Sequence, residues 1–239
     1  MKLLKNKFLL LILALFMVFG TACDSDKDKP IKIGVAGPHS GDLAPYGIPP
    51  KNAVMLAAEK INAAGGLLGR KVEIIAEDDV CKPEIATNVA SKLVGEGVVA
   101  VIGHVCSGAT IAALSVYRDN NIPVISPSAT NPDITMGGQN PLFFRTIPHD
   151  AAQAVLQAKF IDEFLKAKTV AVIHDKGDYG KGLATLVKEG LEKRGINIVL
   201  FEGVTPGAVD YSALVRKIKA ANPEVVAFGG YHPEGSKIV

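Results

Sequence analysis

"VVAVIGHVCSGATIAALSVYRDN", residues 98–120, decides how the rest of the chain is read. A short apolar run rich in β-branched residues passes through a turn bounded by Gly103 and Gly108 and enters a helical stretch. The two glycines have the G-x-x-x-x-G spacing of a phosphate loop, but Ala109 stands where that loop needs lysine. A triphosphate calls for the lysine and a metal site; this turn offers Cys106 and Ser107. Hydroxyls and free amides at a helix start, where the dipole places roughly half a positive charge, suit a small carboxylate instead. Ser107 serving only as a helix cap is the plainer alternative.

Outward from this unit the pattern repeats. "IKIGVAG" reads as a strand, followed by the glycine- and proline-broken loop "GPHSGDLAPYGIPP" and the helix "KNAVMLAAEKINAAGG" with its closing glycine pair. "KVEIIAEDD" is the next strand, and "KPEIATNVASKLVGEG" a helix with Pro83 in its first turn. "IPVISPSA" is a strand beyond the opening stretch. Residues 131–150 show little periodicity and hold Pro132, Pro141 and Pro148; they read as a crossing between lobes, with one short strand at "LFFRTI". A second series follows: helix "AAQAVLQAKFIDEFLKAK", strand "TVAVIHD", helix "YGKGLATLVKEGLEKRG", strand "INIVLFEGV", helix "DYSALVRKIKAANP" and strand "EVVAFGG". Strands alternating with helices of this length predict βαβ units, parallel sheets and two Rossmann-like lobes suited to closing on a ligand.

In such sheets ligands bind beyond the carboxyl ends of the strands. Those ends lead to Tyr46, to Cys106 and Ser107, to Ser128, Ala129 and Thr130, to "HDKGDYG" with Tyr179, and to "GGYHPE" with Tyr231. The set is rich in hydroxyls and peptide groups.

The amino terminus predicts export. Lys2, Lys5 and Lys7 precede an apolar run from Phe8 to Phe19, too short for a membrane span and suited to a signal peptide. Gly20, Thr21 and Ala22 supply the small residues of a cleavage site, and the ending resembles a bacterial lipobox with Cys23 as the lipidated first residue. Gly20 replaces the usual leucine, so ordinary cleavage after Ala22 is the alternative. Expected organisation is a signal peptide at 1–22, a charged tether at 23–30 that holds the protein to a membrane, and lobes at 31–148 and 149–239. Removing Lys2, Lys5 and Lys7 takes the formal charge from +2 to −1. With no basic stripe, no tryptophan and 6% aromatic residues, nucleic-acid binding is not expected.

If Cys23 carries lipid, Cys81 and Cys106 remain as a pair in an oxidising compartment. The competing reading makes Cys106 a thiolate at a helix N-terminus. Catalysis finds little else: His104 lies two residues from Cys106, His174 and Asp175 sit at another strand end, and no G-x-S-x-G elbow is present. His232 and Glu234 lack the partners of a metal site, and no cofactor is implied.

The segments "VAGPHSGDLAPYG", "INAAGGLLGRKVEIIAEDDVCKPEIA", "VIGHVCSGAT", "VISPSATNPDIT", "VAVIHDKGDYGKGLA" and "FGGYHPEG" resemble the periplasmic leucine/isoleucine/valine-binding proteins of ABC transporters. The resemblance runs from about Ile31 to the end. It implies a type I periplasmic-binding fold, an amino-acid ligand delivered to a membrane permease, no chemistry, and a disulfide between Cys81 and Cys106. It implies that Ser107 and Thr130 hold the ligand carboxylate, that Ser128 and Ala129 supply peptide groups, that Tyr46 walls the aliphatic pocket, and that Tyr179 and Tyr231 approach from the second lobe. Members of that family continue past "GSKIV" into later strands of both lobes and an acid that meets the ligand ammonium, so the chain reads as truncated relative to them. A sensor or amide-binding regulator on the same fold, or a non-binding remnant, are the other readings.

Overall fold

Near-continuous apolar runs such as "IKIGVAG" and "TVAVIH" suit strands covered on both faces of a parallel sheet, and the chain uses them there. The computed structural model describes residues 29–239. The expected signal peptide, Cys23 and the tether up to residue 28 lie outside the described residues.

Five parallel strands form the first sheet: β1 (Ile31–Gly37), β2 (Val72–Asp78), β3 (Ala100–Ile102), β4 (Val124–Ser126) and β5 (Phe143–Arg145), in the order β2-β1-β3-β4-β5. A second parallel sheet holds β6 (Thr169–His174), β7 (Asn197–Gly203) and β8 (Val225–Gly229), in the order β7-β6-β8. Central β6 is buried from Val170 to His174, whereas no residue of edge strand β7 is fully buried. In both sheets the earliest strand lies between the next two, so the direction of winding reverses beside it. That reversal opens a crevice at the carboxyl edge between β1 and β3, and another between β6 and β8.

Helices α1 (Ala44–Ala63), α2 (Pro83–Gly95), α3 (Ser107–Asp119), α4 (Asp133–Met136), α5 (Asp150–Lys159), α6 (Gly180–Glu192), α7 (Ser212–Ala221) and α8 (His232–Ile238) complete the fold. On the first sheet, Ala86, Ala90 and Leu93 of α2 meet Ala109, Ala113 and Tyr117 of α3 in one core with Val101 and Val124. Small side chains at the α2–α3 seam let the two helices approach closely. Ala154 and Ala158 of α5 and Leu183, Val187 and Leu191 of α6 cover one face of the second sheet. Ile173 meets Tyr211 and Leu214 on the other face. Pro83 opens α2 where a missing amide costs nothing, and Asn222 ends α7 in the left-handed conformation, with φ 49° and ψ 52°.

Two elements depart from the sequence expectation. Helix α1 begins at Ala44, inside the stretch read as a loop, and carries Pro49 and Pro50 within it. Those prolines remove two amide donors from the helical ladder. The interrupted turn is held by packing: Gly47 lies so close to the Pro38 carbonyl that a Cβ there would stand 2.0 Å from its oxygen. Residues 131–150 hold the short strand expected at "LFFRTI": Phe143, Phe144 and Arg145 pair with Val124, Ile125 and Ser126 as an edge strand. Burial of Phe143 in the first core fixes that strand despite its length of three residues. The helix expected to run to Lys168 widens after Lys159 into a π-helical turn, Phe160–Phe164.

Cys81 and Cys106 are joined by a disulfide, with Cα atoms 5.5 Å apart. The bond ties the loop after β2 to the residue that caps α3, closing a sequence separation of 25. Cross-linking a loop of this length restricts the unfolded chain by about 3 kcal/mol. A Cys81→Ser/Cys106→Ser variant is therefore expected to lose about 3 kcal/mol in urea denaturation. Loss below about 1 kcal/mol would show that the bond contributes little to stability.

Candidate ligand-binding site

The two crevices face one cavity of about 160 Å³. Tyr46, Val105, Ser107, Ser128 and Thr130 reach it from the first sheet's carboxyl edge, Gln153 from α5, and Tyr179, Gly230 and Tyr231 from the second sheet. Six of the residues singled out by sequence thus converge: Tyr46, Ser107, Ser128, Thr130, Tyr179 and Tyr231.

Ser107 is the first helical residue of α3, while extended Cys106 occupies the cap position, with φ −88° and ψ 137°. The Ser107 hydroxyl does not cap its own helix. It accepts a hydrogen bond of 3.2 Å from the Asn131 N–H, which leaves its own proton to donate into the cavity. Asn131 in turn donates from Nδ2 to the Asp178 carbonyl at 2.9 Å, linking the first sheet's loop to the second sheet's. The approach is close there: a Cβ on Gly108 would stand 2.9 Å from an Asp178 carboxylate oxygen.

The loop carrying Ser128 and Thr130 is built on Ser126. The buried Ser126 hydroxyl donates to the His104 carbonyl at 2.6 Å and accepts from the N–H groups of Ser128 at 3.2 Å and Ala129 at 2.8 Å. The Ala129 carbonyl accepts from Arg145, whose guanidinium also bonds the Asn131 carbonyl and the Thr135 hydroxyl. Ala129 is fully buried with both its peptide groups engaged within the protein, and Cys106 lies in the core and in the disulfide. These two expected ligand residues stand behind the cavity wall, not on it.

Three tyrosines form the opposite side. Tyr46 and Tyr231 meet edge to face at 5.5 Å between ring centres, and Tyr179 and Tyr231 meet at 5.2 Å. Burial pushes the Tyr179 phenol up to about 12, with the Asp150 carboxylate adding to the shift, and raises that of Tyr231 as well. Both rings therefore stay neutral and present an amphipathic wall. Beyond Tyr231 a wider recess of about 610 Å³ opens between the 40–43 and 80–82 loops and the 206–207 and 233–234 segments.

His104 takes no part in hydrolytic chemistry at Ser107, because both its ring nitrogens are committed elsewhere: Nδ1 to Asp79 at 2.6 Å and Nε2 to Tyr117 at 3.0 Å. His174 Nδ1 accepts from the Lys176 N–H, and Asp175 accepts from the Gly177 N–H, so both shape the turn before Tyr179. Val105, Gln153 and Gly230 line the cavity without having been singled out in the sequence. Val105 lies inside the decisive turn, and Gln153 in the first turn of the helix after the crossing; position at a strand or helix end was the available signal.

The chain is 44% identical over 231 residues to the leucine-, isoleucine-, valine-, threonine-, and alanine-binding protein of Pseudomonas aeruginosa, covering 97% of this chain and 60% of that protein. It is 43% identical over 211 residues to the Leu/Ile/Val-binding protein of Escherichia coli, covering 88% of this chain and 57% of that one. The solved branched-chain amino acid transporter substrate binding protein LivJ from Streptococcus pneumoniae, in complex with isoleucine, superposes with a TM-score of 0.78 at 34% identity, covering 88% of this chain and 60% of that one. The chain thus spans about three fifths of the length of these proteins, and the expected two-lobed type I architecture holds over that span. A match to the periplasmic binding protein family extends over residues 30–239, every described residue but the first, so with paired parallel sheets facing one cavity this chain belongs to that family.

Proposed function

We propose that this chain binds a branched-chain or related amino acid between its two sheets, as the solute-binding component of an ABC transporter, and hands it to a membrane permease. The observation that carries this reading is the convergence of Ser107 and Thr130 on one cavity at the start of α3. Hydroxyl donors together with the positive end of a 13-residue helix favour a carboxylate without the lysine or metal that a phosphate would require. The tyrosine wall and Val105 supply apolar surface for an aliphatic side chain. Similarity to proteins named for binding leucine, isoleucine and valine supports the ligand class.

Residues 31–148 and 149–239 are the two lobes of this reading, and ligand between them favours their closed arrangement, the form a permease recognises. The basic and apolar segment at 1–22 supports export to the periplasm, and Cys23 is the proposed site of a lipid anchor. Isothermal titration of the mature chain with leucine, isoleucine and valine tests the reading directly. Ser107→Ala and Thr130→Val are each expected to weaken binding by about 1–3 kcal/mol through loss of a donor to a charged ligand oxygen. Unchanged affinity in both variants would place the carboxylate elsewhere.

A further inference from the structure

An exposed apolar tip stands beside the point where the chain enters the first sheet. After α1, Gly65 and Gly66 lead into a tight hairpin before β2. The Leu67 N–H donates to the Arg70 carbonyl at 2.8 Å, and the Arg70 N–H to the Leu67 carbonyl at 3.0 Å. Leu68 and Gly69 make the turn, with φ of 55° and 76°. Positive φ at both central positions favours asparagine or glycine, and a leucine side chain gains nothing from that backbone. Burial does not hold it there either, since Leu68 is 89% exposed and Leu67 47%. Two adjacent leucines left in water at a projecting turn mark a contact outside the chain.

Arg70 fastens this hairpin to the incoming strand. Its Nε donates to the Lys29 carbonyl at 2.7 Å and its Nη2 to the Pro30 carbonyl at 3.4 Å. Cys23, the lipid anchor proposed above, lies six residues before Lys29. Six residues reach at most about 20 Å, so an anchored Cys23 keeps the hairpin at the bilayer surface. Residues 60–71, "KINAAGGLLGRK", carry Lys60, Arg70 and Lys71 and no acid, whereas residues 24–28 hold three aspartates and one lysine. Attraction to anionic headgroups therefore comes from the hairpin and its flanks, not from the tether. Leucines at the tip with cations behind them suit the boundary between headgroups and acyl chains. We infer that the Leu67–Leu68 hairpin is a second membrane contact. It seats the amino edge of the first sheet on an anionic lipid surface and leaves the ligand cavity, at the carboxyl edge, away from that surface. This rests on the Cys23 anchor of the function proposed above.

The chain contains no tryptophan, so a single introduced one reports its own surroundings. Residues 23–239 are coupled through Cys23 to a maleimide lipid in vesicles of phosphatidylglycerol and phosphatidylcholine, which sets the anchor whatever a cell does to that cysteine. Emission of Leu67→Trp is expected to fall about twofold when the vesicle lipids are brominated. Emission of Val209→Trp, 95% exposed in the loop between β7 and α7, is expected to stay unchanged. Adding Leu68→Asn to the Leu67→Trp protein is expected to remove the quenching while the melting temperature holds or rises, because asparagine accepts the left-handed turn. Unchanged emission at 67, equal quenching at 209, quenching that survives Leu68→Asn, or quenching lost only together with thermal stability would overturn the inference and leave the anchor standing. Full chain produced in bacteria whose mass shows no acyl group on Cys23 would overturn the anchor, and this inference with it.

Discussion

Replacing Asp79 by alanine is expected to cost about 3–5 kcal/mol of stability, the usual result of removing one partner from a buried pair. Asp79, His104 and Tyr117 form a chain beneath the site, each no more than 1% exposed. The Asp79 carboxylate accepts from His104 Nδ1 through one oxygen and from the Cys81 N–H, at 2.8 Å, through the other. His104 Nε2 meets the Tyr117 hydroxyl, whose phenol burial pushes well above its ordinary value. With alanine at 79, an imidazole nitrogen and a peptide N–H lose their acceptor in a place water does not reach. The damage extends to the ligand site, because the His104 carbonyl receives the Ser126 hydroxyl that orders Ser128 and Ala129. Under the function proposed above, binding of leucine is therefore expected to weaken together with stability. Asp79→Asn separates charge from hydrogen bonding. Its carbonyl oxygen can still accept from Cys81, and its amide can donate to Nδ1 if the ring takes the other tautomer and donates from Nε2 to Tyr117. Urea denaturation should therefore place Asp79→Asn between wild type and Asp79→Ala. Equal stability of all three proteins would remove the network from the account of the fold.

This network also marks how far sequence reading reaches. The alternation of strands and helices, the turn at Ser107 and the gathering of tyrosines at strand ends follow from local period and from the rule that ligands sit at the carboxyl edge. The site residues carried by those features were legible for that reason. Asp79 lies 25 positions from His104, and His104 lies 13 from Tyr117; nothing local announces that they meet. Helix α1 runs through prolines that local rules take as a stop. In each case a contact distant in sequence decides against the local signal.

Gly180→Ala is expected to disturb the second half of the site as strongly as any single methyl group could. A Cβ at Gly180 would stand 2.2 Å from an Asp175 carboxylate oxygen and 2.4 Å from the Gly229 carbonyl oxygen. A Cβ at Gly229 would meet the Gly180 carbonyl oxygen at 2.2 Å, so the start of α6 and the end of β8 touch through two facing glycines. Neither obstacle yields readily: one is backbone, and Asp175 is buried and accepts from the Gly177 N–H. The added methyl must therefore push α6 away from β8. Tyr179 precedes the displaced residue, and Tyr231 follows the strand from which it is displaced, so the aromatic wall opens as the helix moves. Overpacking of this kind costs about 1–3 kcal/mol, and on the function proposed above leucine affinity is expected to fall about tenfold as the wall loses its closure. Gly182→Ala, two residues along the same helix, is the matched control, because its Cβ would meet only Asn131 Nδ2 at an ordinary 3.4 Å. Alanine there should be neutral or raise stability by up to about 1 kcal/mol through helix propensity. Similar denaturation midpoints and leucine affinities for the two variants would mean that the glycine pair does not set the position of Tyr179.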